Sequence, residues 1–202
     1  MVCLCICLPG GTTITTKLGV KNIEDLRPLD KVLTLHNSKP KWTTFYTWGH
    51  YEKDGIANFL VIKTCNGNEL SISSEHLLFV VGEKGKVAKK AGNICPGDKL
   101  LHFDENGALE VLPVTEIQTE QFAGIFAPFT MTGHFLANGF LVACYANVDN
   151  FSLAHAALTP LRAWHKARYP SGKKQQQKEG IHEYAAHLMK IRNLLPEKLQ
   201  FN

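Results

Sequence analysis

One stretch of this chain occurs twice. Residues Ile23 to Leu33 read IEDLRPLDKVL, and residues Ala91 to Leu101 read AGNICPGDKLL. Each contains an apolar residue, x-Pro-x-Asp-Lys, and then two apolar residues. A lysine-bearing segment precedes each, Lys17 to Lys21 and Lys84 to Lys90. Proline fixes φ, and an aspartate two positions on satisfies the backbone of a turn. Each copy is therefore read as a turn that launches a strand. Asp30 and Asp98 are turn-capping residues in this reading rather than catalysts. A third copy is missing, so the pattern predicts a duplicated β subdomain related by a pseudo-twofold axis, not a solenoid.

The surroundings agree. Residues 10 to 148 are a series of short runs rich in Val, Ile, Thr and aromatics: TTITT, DKVLTL, WTTFYTW, NFLVIKT, HLLFVV, DKLLHF, GIFAPFT and FLANGFLVACYANV. Such runs read as strands. Turn residues separate them at Asn37-Ser38, Lys53-Asp54-Gly55, Asn66-Gly67-Asn68 and Glu105-Asn106-Gly107. The fold class is all-β, closed or folded over on itself. With 202 residues, 45% of them hydrophobic, the chain can build one domain with a full core and a small appendage.

The period changes at Asn150. Phe151, Ala154, Leu158 and Leu161 fall at helical spacing, with Ser152 as an N-cap. Pro160 either disturbs that helix or begins a second. Residues 170–180 are polar and read as a linker. A further amphipathic helix is predicted from Ile181 through Tyr184, Leu188, Ile191 and Leu195 to Pro196. These stripes need cover from the β domain, each other, a lipid or a partner.

A net charge of +4 is too mild to argue for nucleic acid, and Lys173, Lys174 and Lys178 sit in the polar linker. No run of about 18 apolar residues exists to span a membrane. The start, MVCLCICLPG, lacks the positive flank and length of a signal peptide. On this reading the chain is either cytosolic or a piece of something longer. The six cysteines form no paired C-x-x-C motifs, so no metal site is expected. Cys3, Cys5 and Cys7 alternate and would share one strand face. Cys65 and Cys95 read as core or turn residues.

Chemistry concentrates in few places. Cys7-Leu8-Pro9-Gly10 opens the β region. Ser73-Ser74-Glu75-His76 precedes an apolar strand. By itself His76 is more simply a polar residue at the mouth of that strand than a catalyst. The stretches "CLPG", "EDLRPLDKVL", "SSEHLLFV", "APFTMTGHFLANG" and "VACYANVDNFSLAHAALTPLR", in that order, resemble the Hint family, the self-processing fold shared by inteins and the C-terminal domains of Hedgehog proteins. Within it the chain resembles the Hedgehog branch, and "GIHEYAAHLMKI" resembles the segment that follows the Hint core there.

The resemblance implies a Hint domain over residues 7–150, residues 1–6 as a leader or remnant of an upstream segment, and residues 151–202 as a two-helix sterol-recognition-like region. It implies an N-to-S acyl shift at Cys7, cleavage before it, and transfer of the upstream segment to a sterol such as cholesterol, with no cofactor. His76 would protonate the departing nitrogen. Ser73 stands where the family has Thr, keeping the hydroxyl but losing the methyl that restricts χ1. His50 stands where Hedgehogs carry the Asp that acts on the sterol hydroxyl. It would support sterol transfer, favour water, or stall the reaction at the thioester, and Asp54 is a substitute if the register slips. Cys144 would be either a disulfide partner of Cys7 in an off-state or a small buried thiol. Leu158, Leu161, Trp164, Tyr184 and Leu188 would contact sterol or a membrane surface. The implied partners are an upstream signalling segment in cis, a sterol and a membrane surface, and the implied compartment is the secretory pathway or the extracellular space. Ala143-Cys144 occupies the place where splicing needs His-Asn, which argues against splicing. A catalytically idle Hint module is the remaining alternative, and Ile6 stands where Hedgehogs carry Gly.

Overall fold

The computed structural model describes residues 7–83, 85–104, 106–146, 151–168, 179–184 and 186. In chain order the elements are β1 (Thr13–Thr16), β2 (Gly19–Asn22), a 3-10 turn (Ile23–Asp25), β3 (Lys31–His36), β4 (Lys39–Thr64), β5 (Glu69–Ile72), β6 (His76–Gly82), β7 (Gly85–Lys90), a second 3-10 turn (Ala91–Asn93), β8 (Lys99–Phe103), β9 (Leu109–Thr130), β10 (His134–Ala137), β11 (Phe140–Ala146), α1 (Phe151–Ala157), α2 (Thr159–Arg168) and β12 (Gly180–Ile181). The sheet is antiparallel in every pairing. The all-β expectation and the appended helical segment both hold.

The duplication is visible atom by atom. Asp30 accepts hydrogen bonds from the Arg27 backbone N–H at 2.9 Å and from Lys21 Nζ at 2.8 Å. Asp98 does the same with the Cys95 N–H at 2.8 Å and Lys89 Nζ at 2.6 Å. In both copies the chain then enters a strand (β3 or β8) that forms a hairpin with a long one (β4 or β9). One turn position is left-handed in both. It is held by Gly97 at φ 94 in the second copy and by Leu29 at φ 83 in the first, where a side chain is strained.

Two strands are far longer than their sequence runs. β4 spans 26 residues and β9 spans 22, and they pair with each other along most of their length. Lys53-Asp54-Gly55 was expected as a turn between strands. It is instead absorbed in an irregularity of the β4–β9 register between Glu52 and Ile56. An irregularity of this kind bends a strand without ending it. The two long strands join the halves, β4 pairing with β3 and β9 with β8, and the largest fully buried side chains include Phe45, Phe126, Phe135 and Phe140.

The C-terminal region departs from expectation. α1 begins at Phe151, so Ser152 lies inside it rather than ahead as a cap. Pro160 sits in the first turn of α2, where a missing N–H costs nothing, and so begins the second helix. Ile181 was assigned to a helix but is in β12, which adds to β4 opposite His50 and Tyr51. Leu188, Ile191 and Leu195 lie outside the described residues, as do residues 1–6 and most of the 170–180 linker. Among the described residues no helix is long and apolar enough to cross a membrane.

Candidate functional site

Cys7 is threaded into the β domain by backbone bonds on both sides. Leu8 and Phe126 exchange N–H···O bonds of 2.9 and 3.0 Å, and Gly10 N–H donates to Ala123 O at 3.0 Å. Gly124, at φ 84, allows this approach, because a Cβ there would lie 2.9 Å from Gly10 N and 2.5 Å from the Phe126 ring. On the other side the Ser73 N–H donates to Cys7 O at 3.0 Å. The Cys7 N–H donates to Ser73 Oγ at 2.9 Å. The amide that would break in an acyl shift is thus gripped by the hydroxyl that the Ser-x-x-His pattern singled out.

The duplicated turns steady this grip. Ile23 N–H donates to Thr12 O, just after the Cys7 segment, and Gly92 N–H donates to Ser74 O, inside the Ser73–His76 loop. The repeat therefore supports both halves of the site.

His50 reaches the site from β4. Phe126 is opposite both Leu8 and Tyr51, which places the neighbouring His50 beside Cys7. Cys7 Sγ and His50 Nδ1 are 3.5 Å apart, and His50 Nε2 is 3.2 Å from Glu52 Oε2. A carboxylate only accepts, so Nε2 carries the proton and Nδ1 of the neutral ring presents its lone pair to the thiol. The Cys7 side chain is completely buried with Phe59, Ile125 and Ala127. Burial pushes its thiol well above its ordinary value, and the Glu52 charge adds to this. Burial lowers the His50 pKa, while the bond to Glu52 pulls the other way. The resting pair is therefore thiol and neutral imidazole.

His76 is the first residue of β6 and is 1% exposed. Its Nε2 donates to Ala143 O at 2.7 Å, and its Nδ1 is buried without a protein partner. Burial holds its pKa down to about 4, against the smaller opposing effect of the Ala143 bond. It is a neutral ring with one vacant nitrogen, held on the same loop as Ser73.

Cys144 lies apart from this arrangement. Its sulfur accepts from Thr130 N–H at 3.4 Å and is 3.3 Å from Thr130 Oγ1. Burial pushes its thiol up to about 12, and Cys7 and Cys144 are both free. The bland reading of Cys144, a buried thiol, is the one this structure adopts. Asp54 is exposed on the β4 irregularity, so His50 takes the place beside the nucleophile.

Of the residues expected at a sterol or membrane surface, Leu158 and Leu161 are buried in the main core. There they pack the helices against the β domain. Tyr184 packs on the same core and donates its hydroxyl to Ala157 O at 3.1 Å. Trp164 is 47% exposed. Sequence reading missed Glu52, Thr130 and the Ala143 carbonyl. Of these only Glu52 had a signal, its position two residues from His50, on the same face of a strand.

Comparison with known proteins shows what the chain is similar to. The Hint module family matches residues 2–197. The chain is 31% identical to the Tiggy-winkle hedgehog protein of Danio rerio over 208 residues, covering 97% of this chain and 50% of that protein. It is 28% identical to the Sonic hedgehog protein of Danio rerio, covering 92% and 48%. The chain thus spans about half the length of the curated relatives it matches. Its fold is similar to the gp41-1 intein, with TM-score 0.53 and 20% identity over 68% of this chain and 97% of that one. It is also similar to the Ssp DnaB mini-intein variant M86, with TM-score 0.58 and 14% identity over 74% and 100%.

Proposed function

The chain belongs to the Hint family, and we propose that it is an autoprocessing domain that cleaves the peptide bond before Cys7 and passes the upstream segment to a sterol. One observation carries the reading: the backbone N–H of Cys7 is held by Ser73 Oγ while its own thiol faces His50 Nδ1. Nucleophile, scissile amide and base are thus within reach of one another, which is the geometry an intramolecular attack requires. His76, three residues from Ser73, offers a vacant nitrogen beside the same loop.

Sterol as the second nucleophile is what the resemblance to the Hedgehog branch implies, and β12 sets Ile181 opposite His50. Trp164 offers an exposed aromatic for a lipid surface. The partners in this reading are an upstream signalling segment in cis, a sterol, and a membrane touched from one side, within the secretory pathway. Because an imidazole replaces the family carboxylate at His50, a second reading has water or a small thiol resolve the thioester in place of sterol.

The test is intact mass. A soluble reporter is fused ahead of the chain, with Ile6 retained or replaced by Gly, and incubated with dispersed cholesterol, buffer or a small thiol. A reporter carrying one cholesterol less water is the expected product. Free acid in buffer would favour the hydrolytic reading, cleavage by thiol alone would remove the sterol step, and an unreacted fusion in all three would refute autoprocessing.

A further inference from the structure

We infer that Glu52 is the positioning residue of a carboxylate–imidazole pair with His50, and that this pair takes the Cys7 thiol proton in the first step, before His50 meets the acceptor hydroxyl in the role its position already implies. This rests on the autoprocessing reading and deepens it. A base reserved for the second nucleophile would have no reason to sit on the first one, yet His50 Nδ1 is 3.5 Å from Cys7 Sγ. Glu52 Oε2, 3.2 Å from Nε2, fixes the tautomer that leaves Nδ1 free to accept. Nucleophile, base and orienter follow one another as in other activated nucleophiles.

The buried thiol makes such a base necessary. Cys7 cannot ionise into solvent, because burial favours its protonated form. His76 is not set against the thiol: its vacant Nδ1 makes no bond to Cys7 Sγ, whereas His50 Nδ1 does. In the first step the thiol proton moves to His50 Nδ1. The Sγ–C bond forms to the carbonyl carbon of residue 6, the C–N bond to Cys7 breaks, and the proton passes to the departing nitrogen. One proton has moved from sulfur to nitrogen. In the second step the acceptor hydroxyl gives its proton to Nδ1, its oxygen bonds to the same carbon, the C–S bond breaks, and the thiolate takes the proton back. Glu52 stabilises the imidazolium formed each time.

Among the described residues, the titratable groups set against His50 are Glu52 on its own strand and Cys7 on the N-terminal segment; His182 follows Ile181, the β12 residue opposite, and its N–H donates to Gly49 O. The β9 residue opposite, Ala127, carries none. Glu52 raises the His50 pKa, so removing its charge moves the acid limb of the rate profile to lower pH.

Thiol-induced cleavage of the full chain fused to a reporter isolates the first step from any sterol. His50→Gln keeps an amide near the thiol but cannot accept its proton, and should slow this step by about 100-fold or more. Glu52→Gln still accepts from Nε2 without charge. Its side chain is half-exposed, so the fold survives. It should slow the step about tenfold and shift the acid limb downward, and Glu52→Asp should restore part of the rate. Wild-type rates and an unshifted profile in His50→Gln and Glu52→Gln would overturn the inference and leave autoprocessing standing. A wild-type fusion inert to thiol would overturn both.

Discussion

His76 should make the fold sensitive to mild acid, by an amount the site geometry sets. Its ordinary pKa is 6.5 and its folded one about 4. Between these values the unfolded chain binds a proton that the folded chain refuses. The stability at stake is therefore complete above pH 6.5 and drains away as pH falls toward 4. The gap corresponds to about 3 kcal/mol, which in a chain of this size lowers Tm by about 6–12 °C. The physical reason is Nδ1, which is buried without a protein acceptor for the extra proton, while Nε2–H is already used by Ala143 O. The assay is urea unfolding from pH 7 to 4.5 in a Cys7→Ala background, where no cleavage interferes, with and without His76→Gln. Other buried histidines, such as His134, whose pKa is also about 4, titrate in both proteins, so the difference between the curves isolates His76. The glutamine protein should lose stability less steeply, by up to about 1.4 kcal/mol per pH unit within that window. Parallel curves would refute the assignment of His76 as a neutral buried ring. The same low pKa leaves roughly one ring in a thousand protonated at pH 7, so His76 starts the reaction as a neutral group.

Ser73→Ala should leave the Cys7 N–H without its acceptor, costing about 1–3 kcal/mol of stability and slowing thiol-induced cleavage. Ser73→Thr should retain both, as read by thermal melting and reporter mass. Gly124→Ala should be the more disruptive change: its Cβ would fall 2.5 Å from the Phe126 ring and 2.9 Å from Gly10 N at a left-handed φ. A drop in cleavage rate larger than the drop in Tm explains would mark displacement of the Cys7 segment, and a wild-type rate would refute that coupling.

Much of the architecture was legible because it is written twice. The Pro-x-Asp-Lys repeat announced two equivalent turns, and both aspartates make the same pair of bonds. The long strands were not legible. Lys53-Asp54-Gly55 carries turn composition, and only pairing to β9 keeps it within a strand. Ile181 was misassigned for a related reason: tertiary pairing to β4 overrides a helical apolar period. In the site, Cys7, Ser73 and His76 came from motif resemblance. The role of His50 as a neighbour of the thiol did not, because it depends on β9 aligning Leu8 with Tyr51, a relation between three distant segments. Leu158 and Leu161 show the limit of a stripe, which declares that a face will be covered but not by what.

The hydrogen bond from His76 to Ala143 has a consequence for timing. Cys7 is made early, yet the ring beside its loop is held by β11, the last strand before the helices, and β4 has no cross-half partner until β9 is made. At typical rates of synthesis, on the order of ten seconds separate Cys7 from Ala143. A nascent chain thus carries its nucleophile unassembled until nearly the whole domain exists. Under the proposed autoprocessing, an upstream segment would have that interval to fold while still attached, and self-cleavage would be ordered after synthesis without any external trigger.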